Sequence, residues 1–537
     1  MKISNSLPSI LLFIWLSQFP YAYSQTTEDI YSSEFQSHDN DSLQSVKFPI
    51  YKINSPKMSN LDNIYKVRKI LKNKVKLFEK TSSKYTLETA INESIFNNPH
   101  LASVLSDIKS SEWKLIAAQR TWYPTINISG LPLSSSASSV YDGSRTSRSS
   151  NPEKQSTSWS RGPNTYQKIL SSSLTPTLSW TIFSPTRIPS INVAYQQLKA
   201  KQYLFETTAR DLIYNTQASY YGVQANKQLT ESYFKILDLN IENLEVVLGK
   251  YSAGYTSVVD VYTSQAQVFT SITTLIANIN AYEKSSFQLS GYLGLPQDKV
   301  ALPQDEPSIN QTWKLPKSET IDYALANSEI IKRSYTMAET YRWNGIVALN
   351  RTLPTFTASL KYPIGWDETT TSITVISEDP NQFNNTTNTW KSSNGPSISL
   401  AFEWPIFDAG ISKAEANSAF NKQKSALLNA QTATDTTVQN VRDSFSTYNT
   451  SLLSLKSSTL AYESAMSAEL ASSFRYLAGV GDVTQQIQAT TRLGLASVQK
   501  ANSIKDFNQS VANLYRYSAL WPMNTRQFLN DYLSTSK

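Results

Sequence analysis

Apolar residues at Val261, Val268, Leu275, Tyr282 and Leu289 recur every seven positions, with Ile272 and Ile279 between them, as a heptad seam on a packed helix requires. The seam returns 225 positions later, where Leu493, Phe507 and Leu514 match Val268, Tyr282 and Leu289, and Ile504 matches Ile279. No proline falls between Pro189 and Pro296 or between Pro405 and Pro522. A helix over about 190 to 250 would be roughly 90 Å long. Sustained heptads at that length imply supercoiled helices, a coiled coil or a helical tube.

Other segments have period two. Ile126 and Ile128 alternate with Thr125, Asn127 and Ser129, and Leu178, Trp180 and Ile182 with Thr177, Ser179 and Thr181. Further along, Phe356, Ala358, Leu360 and Tyr362 alternate with Thr355, Thr357, Ser359 and Lys361, and Ile398, Leu400, Phe402 and Trp404 with Ser397, Ser399, Ala401 and Glu403. The pattern predicts four strands, each with an apolar and a polar face. A soluble sandwich shows the same alternation, but two features favour a membrane barrel. The aromatics Trp122, Tyr123, Trp180, Phe183, Trp404 and Phe407 cluster at the strand ends nearest the helices, where an interfacial girdle sits. Polar stretches, Ser-rich from about 133 to 171 and Thr/Asn-rich from about 366 to 395, are expected as long external loops.

Four strands cannot close a barrel, whose practical minimum is about eight, so the chain has to oligomerise. Two copies would give a barrel filled by side chains, whereas three would give about twelve strands around a lumen lined by the Thr/Ser face. Three is the smaller number that leaves a pore. The fold class expected is therefore an α+β membrane protein: a homotrimer with a shared 12-stranded antiparallel β-barrel, four strands per chain, continued by a long α-helical coiled-coil tunnel.

The chain has only 15 glycines, yet KYSAGYTSVVDV (250–261) and RYLAGVGDVTQQ (475–486) repeat a basic residue, a tyrosine and Ala-Gly. Glycine accepts the positive φ of a helix C-terminus. Lys250 and Arg475 precede it, as cations favour the last turn, and Asp260 and Asp482 follow. Both stretches are expected as hairpin tips. Thr86–Leu101 also resembles Glu319–Ile330, Tyr123-Pro124-Thr125 resembles Leu353-Pro354-Thr355, and Trp180–Phe183 resembles Trp404–Phe407. The expectation is an internal duplication, with repeats at 85–315 and 316–525 and a tail at 526–537.

Residues 1–24 read as a cleaved secretory signal, with Lys2, the apolar run Ile10–Leu16 and the small-x-small site Ala22-Tyr23-Ser24. An extension, 25–84, follows and is basic from 47. The formal net charge is +7, but eleven cations against two acids put +9 in residues 47–84, leaving −2 elsewhere. No basic face for nucleic acid remains. The basic run itself reads either as a binder of an anionic polymer or membrane surface, such as the cell wall, or as a solvated linker. There are no cysteines, which removes disulfides, thiol chemistry and N-terminal lipidation, and His38 and His100 are the only histidines. Gly479-x-Gly481 lacks the preceding strand and third glycine of a dinucleotide loop. No catalytic residue, metal site or cofactor is expected.

Together the duplication, the YxxG tips (Tyr251–Gly254, Tyr476–Gly479), VVDV at Val258–Val261, the paired W-x-I-F turns and YLGLP at Tyr292–Pro296 resemble the TolC-like outer-membrane efflux proteins over about 85 to 522. The resemblance implies a trimer with its barrel in the outer membrane and its helical tunnel in the periplasm of a Gram-negative-type envelope. It implies export of drugs or proteins, by tripartite efflux or type I secretion, with a periplasmic adaptor protein and an inner-membrane transporter. The tips Ala253-Gly254-Tyr255 and Ala478-Gly479-Val480 would meet the adaptor. A periplasmic gate would use a Tyr476-to-Asp260 link, while the family's arginine position is Gly481 and its entrance carboxylates fall on Gln485 and Gln488, weakening any cation-selective ring. Asp260 has a second reading as helix N-terminal charge compensation, worth about 0.3–1 kcal/mol. The rival function is a periplasmic coiled-coil scaffold or adhesin without a pore, which accounts for the helices but not for the strands. The exported substrate is not written in the sequence.

Overall fold

The computed structural model describes residues 59–148, 156–309, 312–374, 384–522 and 524–535. The signal at 1–24 and the extension from 25 to 58 lie outside the described residues. In chain order the elements are α1 (Ser59–Thr81), β1 (Ser83–Tyr85), α2 (Leu87–Asn97), α3 (Pro99–Arg120), β2 (Thr125–Arg148), β3 (Ser156–Phe183), α4 (Arg187–Ser252) and α5 (Val258–Leu293). There follow β4 (Ala301–Pro303), α6 (Lys317–Asn327), α7 (Glu329–Asn350), β5 (Thr355–Lys361), β6 (Ile364–Thr374), β7 (Asn384–Asn394), β8 (Ser397–Glu403), α8 (Ile411–Leu477), α9 (Val483–Ser518) and α10 (Thr525–Thr535).

The element order recurs: α2, α3, α4 and α5 have 11, 22, 66 and 36 residues, and α6, α7, α8 and α9 have 11, 22, 67 and 36. Helices of the length of α4 and α8 run about 100 Å. The heptad seam is where these helices meet: Val261, Val268, Leu275, Tyr282 and Leu289 are all buried, as are Leu493, Phe507 and Leu514. Asn98 separates α2 from α3 by capping, its Oδ1 accepting from the His100 and Leu101 N–H groups at 3.0 and 3.3 Å, with Pro99 opening the new helix. Buried Arg210 ties the two halves, donating to Glu329 at 2.9 Å and to the Leu520 and Ala519 carbonyls at 2.7 and 2.8 Å.

Six strands form one antiparallel sheet of four lines. β2 pairs with β3, β3 pairs with both β5 and β6, and these pair with β8 and β7. Pro363 splits β5 from β6, and Gly395-Pro396 splits β8 from β7, because proline has no N–H for the ladder. The stretches expected as loops, from about 133 to 171 and 366 to 395, are instead largely strand: β2 and β3 stay paired to Arg148↔Ser156, and β6 and β7 to Thr374↔Asn384. Once the alternating rows set the register, neighbouring serines and threonines continue the ladder, helped by cross-strand hydroxyl pairs such as Ser372 with Thr386 at 3.2 Å.

The ends of the chain also pack. In α1, Ile64, Val67 and Leu71 are buried against Leu237, Ile241 and Leu244 of α4 and Ile272, Leu275 and Ile279 of α5. Residues 59–81 are thus a docked helix rather than a solvated linker. β1 pairs in parallel with β4, a contact that three-residue strands do not announce in sequence. α10, in the stretch expected as a tail, buries Leu529 and Tyr532, with Tyr532 stacked on Phe205 of α4 at 6.5 Å.

Candidate functional site at an open sheet and two helical tips

Ile126, Leu178, Leu360 and Ile398 stand in one row across all four strand lines. The adjacent row, Thr125, Ser179, Ser359 and Ser399, is polar throughout and points to the opposite face. The apolar row is largely bare: Ile126 is 71% exposed, Leu360 41% and Ile398 84%, while Leu178 is half-buried. Among the described residues the outer edges, β2 on one side and β8 with β7 on the other, pair with nothing. Such edges are untenable in lipid until they close. β2 and β3, at 24 and 28 residues, far exceed the roughly 9–11 needed to cross a bilayer. No described helix is long and apolar enough to cross a membrane.

The predicted aromatics gather where the sheet meets the helices. Trp122, Tyr123, Trp180, Phe183, Trp404 and Phe407 are all exposed. The Trp180 indole donates to the Trp122 carbonyl at 2.9 Å and that of Trp404 to the Thr352 carbonyl at 3.0 Å. Each ring therefore has a satisfied polar end and a free apolar body.

At the far end of the helices Gly254 and Gly479 adopt φ of 80° and 78°. These left-handed residues let the Tyr255 and Val480 N–H groups reach back to the Lys250 and Arg475 carbonyls at 2.8 and 3.0 Å. Ala253, Gly254, Tyr255, Ala478, Gly479 and Val480 all lie exposed at the two turns. Gln485 and Gln488 are exposed on the first turns of α9.

The two gate candidates do not bond to each other. The Asp260 carboxylate accepts from the Thr256 hydroxyl at 2.5 Å and from the Ser257 N–H at 3.1 Å, completing a capping box at the start of α5. These donors hold its pKa below the ordinary carboxylate value. Tyr476 is buried, and its phenol oxygen has no hydrogen-bond partner among the described residues. Burial raises that phenol's pKa, with the charges of Asp260 and Asp482 adding to it. What Tyr476 meets is Lys250: the ammonium lies 3.7 Å from the ring centroid and donates to the Tyr476 carbonyl at 2.5 Å. Sequence reading placed Lys250 only as a last-turn cation, since nothing in the linear order shows a partner 226 residues away. It also missed buried Glu469, which accepts from the Gln486 amide at 3.1 Å and the Ser473 hydroxyl at 3.0 Å.

Residues 90–295 and 322–519 match the outer membrane efflux protein family in two segments that together cover most of the chain. The chain belongs to the outer membrane efflux protein family. Outer membrane protein TolC of Escherichia coli (strain K12) is 22% identical over 381 residues, 66% of this chain and 71% of that protein. The Campylobacter jejuni CmeC outer membrane channel superposes with a TM-score of 0.63 at 16% identity, over 83% of this chain and 89% of that one. The outer-membrane channel OprN gives 0.61 at 14% identity, over 80% and 89%. As an efflux-family member the chain is an outer-membrane channel protein, not an enzyme, with its long helices on the periplasmic side.

Proposed function

We propose that three copies of this chain close a twelve-stranded barrel in the outer membrane and continue it as a helical tunnel, forming an export duct. The observation that carries this reading is the open sheet, with one bare apolar face, one hydroxyl-rich face and two unpaired edges, leading directly into helices of about 100 Å. Three copies supply the strands that one lacks and leave a lumen. A scaffold without a pore has no use for that apolar face. The matching element lengths of the two halves support an internal duplication, with repeats at 85–315 and 316–525. The aromatic ring at the strand ends would mark the periplasmic membrane interface.

In this reading the exposed turns at Ala253-Gly254-Tyr255 and Ala478-Gly479-Val480 dock a periplasmic adaptor, through which an inner-membrane transporter delivers drugs or proteins. The entrance is closed by fastening the first hairpin to the second through Lys250 and Tyr476, with Asp260 shaping the turn. Gln485 and Gln488 give it no fixed charge. The test is the mass of the detergent-solubilised protein by light scattering, with gel mobility before and after heating. A protein mass of three chains and a heat-dependent shift are expected. A monomer whose mobility ignores heating would overturn the proposal.

A further inference from the structure

The helix α1 lies outside the family match, which begins at residue 90. Among the described residues the second half has no counterpart, for 304–309 and 312–316 ahead of α6 are not helical. At about 100° per residue, Ile64, Val67, Leu71, Val75 and Phe78 fall within about an 80° arc, and this face packs on the groove of α4 and α5. Arg68 and Lys74 flank it and pair with Asp238 and Glu283. Lys66, Lys69, Lys72, Lys76 and Lys80 occupy about a 120° arc on the opposite side, and all five are exposed and without an ion pair among the described residues. Lys84, in β1, is exposed as well.

A row of exposed lysines on a docked helix offers a binding face to an anionic occupant, and its position selects among the candidates. Asp238, the partner of Arg68, lies about 77 Å along α4 from its sheet-proximal end, and Tyr220, whose hydroxyl donates to the Tyr85 carbonyl, lies about 50 Å along it. Outer-membrane headgroups are out of reach at those distances. From Lys66 to Lys80 the row of exposed side chains extends about 21 Å along the helix, which suits an extended polymer better than a small anion. Tyr65 and Leu77 are the only exposed large apolar or aromatic side chains described on α1, too few for a protein interface with a buried centre. Lysines are single point charges without the fork that fixes one carboxylate geometry, so the surface fits a repetitive, loosely registered polyanion.

We propose that α1 is a wall tether, its lysine face binding a carboxylate-bearing glycan polymer of the periplasm. The proposal rests on the outer-membrane placement and not on the duct reading. The test is co-sedimentation of the full detergent-solubilised protein with isolated cell-wall sacculi, comparing wild type with K66Q/K69Q/K72Q/K76Q/K80Q and with the corresponding five-fold Lys→Arg variant. Wild type and the arginine variant should sediment, and the glutamine variant should lose at least about tenfold of that binding at low salt. Amidating the sacculus carboxylates should abolish capture of all three. Equal sedimentation of the glutamine variant and wild type, or undiminished binding to amidated sacculi, would overturn the proposal. So would capture by anionic phospholipid vesicles in place of sacculi. The five lysines are exposed, and an unchanged melting curve and oligomer mass for the glutamine variant would show that lost binding is not lost folding.

Discussion

Lys250, at the end of the first long helix, grips Tyr476, at the end of the other, by the carbonyl at 2.5 Å and by the ring face at 3.7 Å. The grip uses the ring and the backbone of Tyr476 and not its hydroxyl, and this separates it from a Tyr476-to-Asp260 hydrogen bond. Lys250→Met removes a cation–π contact worth about 0.5–2 kcal/mol. Amide exchange at 476–481 should accelerate by roughly 2- to 30-fold. Tyr476→Phe deletes only a buried hydroxyl without a partner, and should leave exchange within about twofold. Acceleration by Tyr476→Phe alone would reinstate the hydroxyl as the latch.

Asp260 belongs to the start of its own helix. Asp260→Ala should cost about 0.3–1 kcal/mol through loss of its half of the capping box and of its charge at the helix N-terminus. The carboxyl pKa is lowered from an ordinary value of 3.8, so the cap's contribution is present above that value and is lost as pH falls through the lowered one. Melting curves of wild type and Asp260→Ala should therefore differ at pH 7 and converge as the pH drops below about 4.

Arg210 and Glu329 join α4 to α7 with side chains only 4% and 8% exposed, and the guanidinium lies 3.7 Å over the Trp521 ring. Glu329→Ala strands a buried cation and should cost about 3–5 kcal/mol. The double variant Arg210→Met/Glu329→Leu should recover part of that loss, because two apolar groups need no partner while the Leu520 and Ala519 carbonyls lose their donor. Thermal unfolding of the three proteins measures both claims.

For α1, packing should outweigh charge. Leu71 is 4% exposed, so Leu71→Ala should cost about 2–5 kcal/mol and open residues 59–81 to protease. The Arg68–Asp238 pair is partly exposed at 27% and 36%, so Arg68→Ala should cost about 0.2–1 kcal/mol and leave the cleavage pattern unchanged.

Much of this architecture is written locally. Val261 to Leu289 carry the seam, Gly254 and Gly479 mark the turns, and the alternation around Ile126 and Ile398 marks the strands, because each is a periodicity or a backbone requirement of a few neighbours. What stayed hidden depends on distant partners. The Ser-rich parts of β2 and β3 lie beyond the alternating rows and become strands by pairing across the sheet, β2 with β3 and β3 with β6. α1 showed its lysines more plainly than the apolar face that docks it, and Lys250 carries no sign of Tyr476. Asp260 was legible in both its readings, and the capping box is the one the geometry contains.

The duct with a fastened entrance is tested most directly by single-channel conductance of the purified protein in a planar bilayer, wild type against Lys250→Met. A small wild-type conductance that rises in Lys250→Met is the predicted result. No conductance from either protein, once insertion is verified, would contradict the duct, and a large wild-type conductance untouched by the substitution would contradict the fastening.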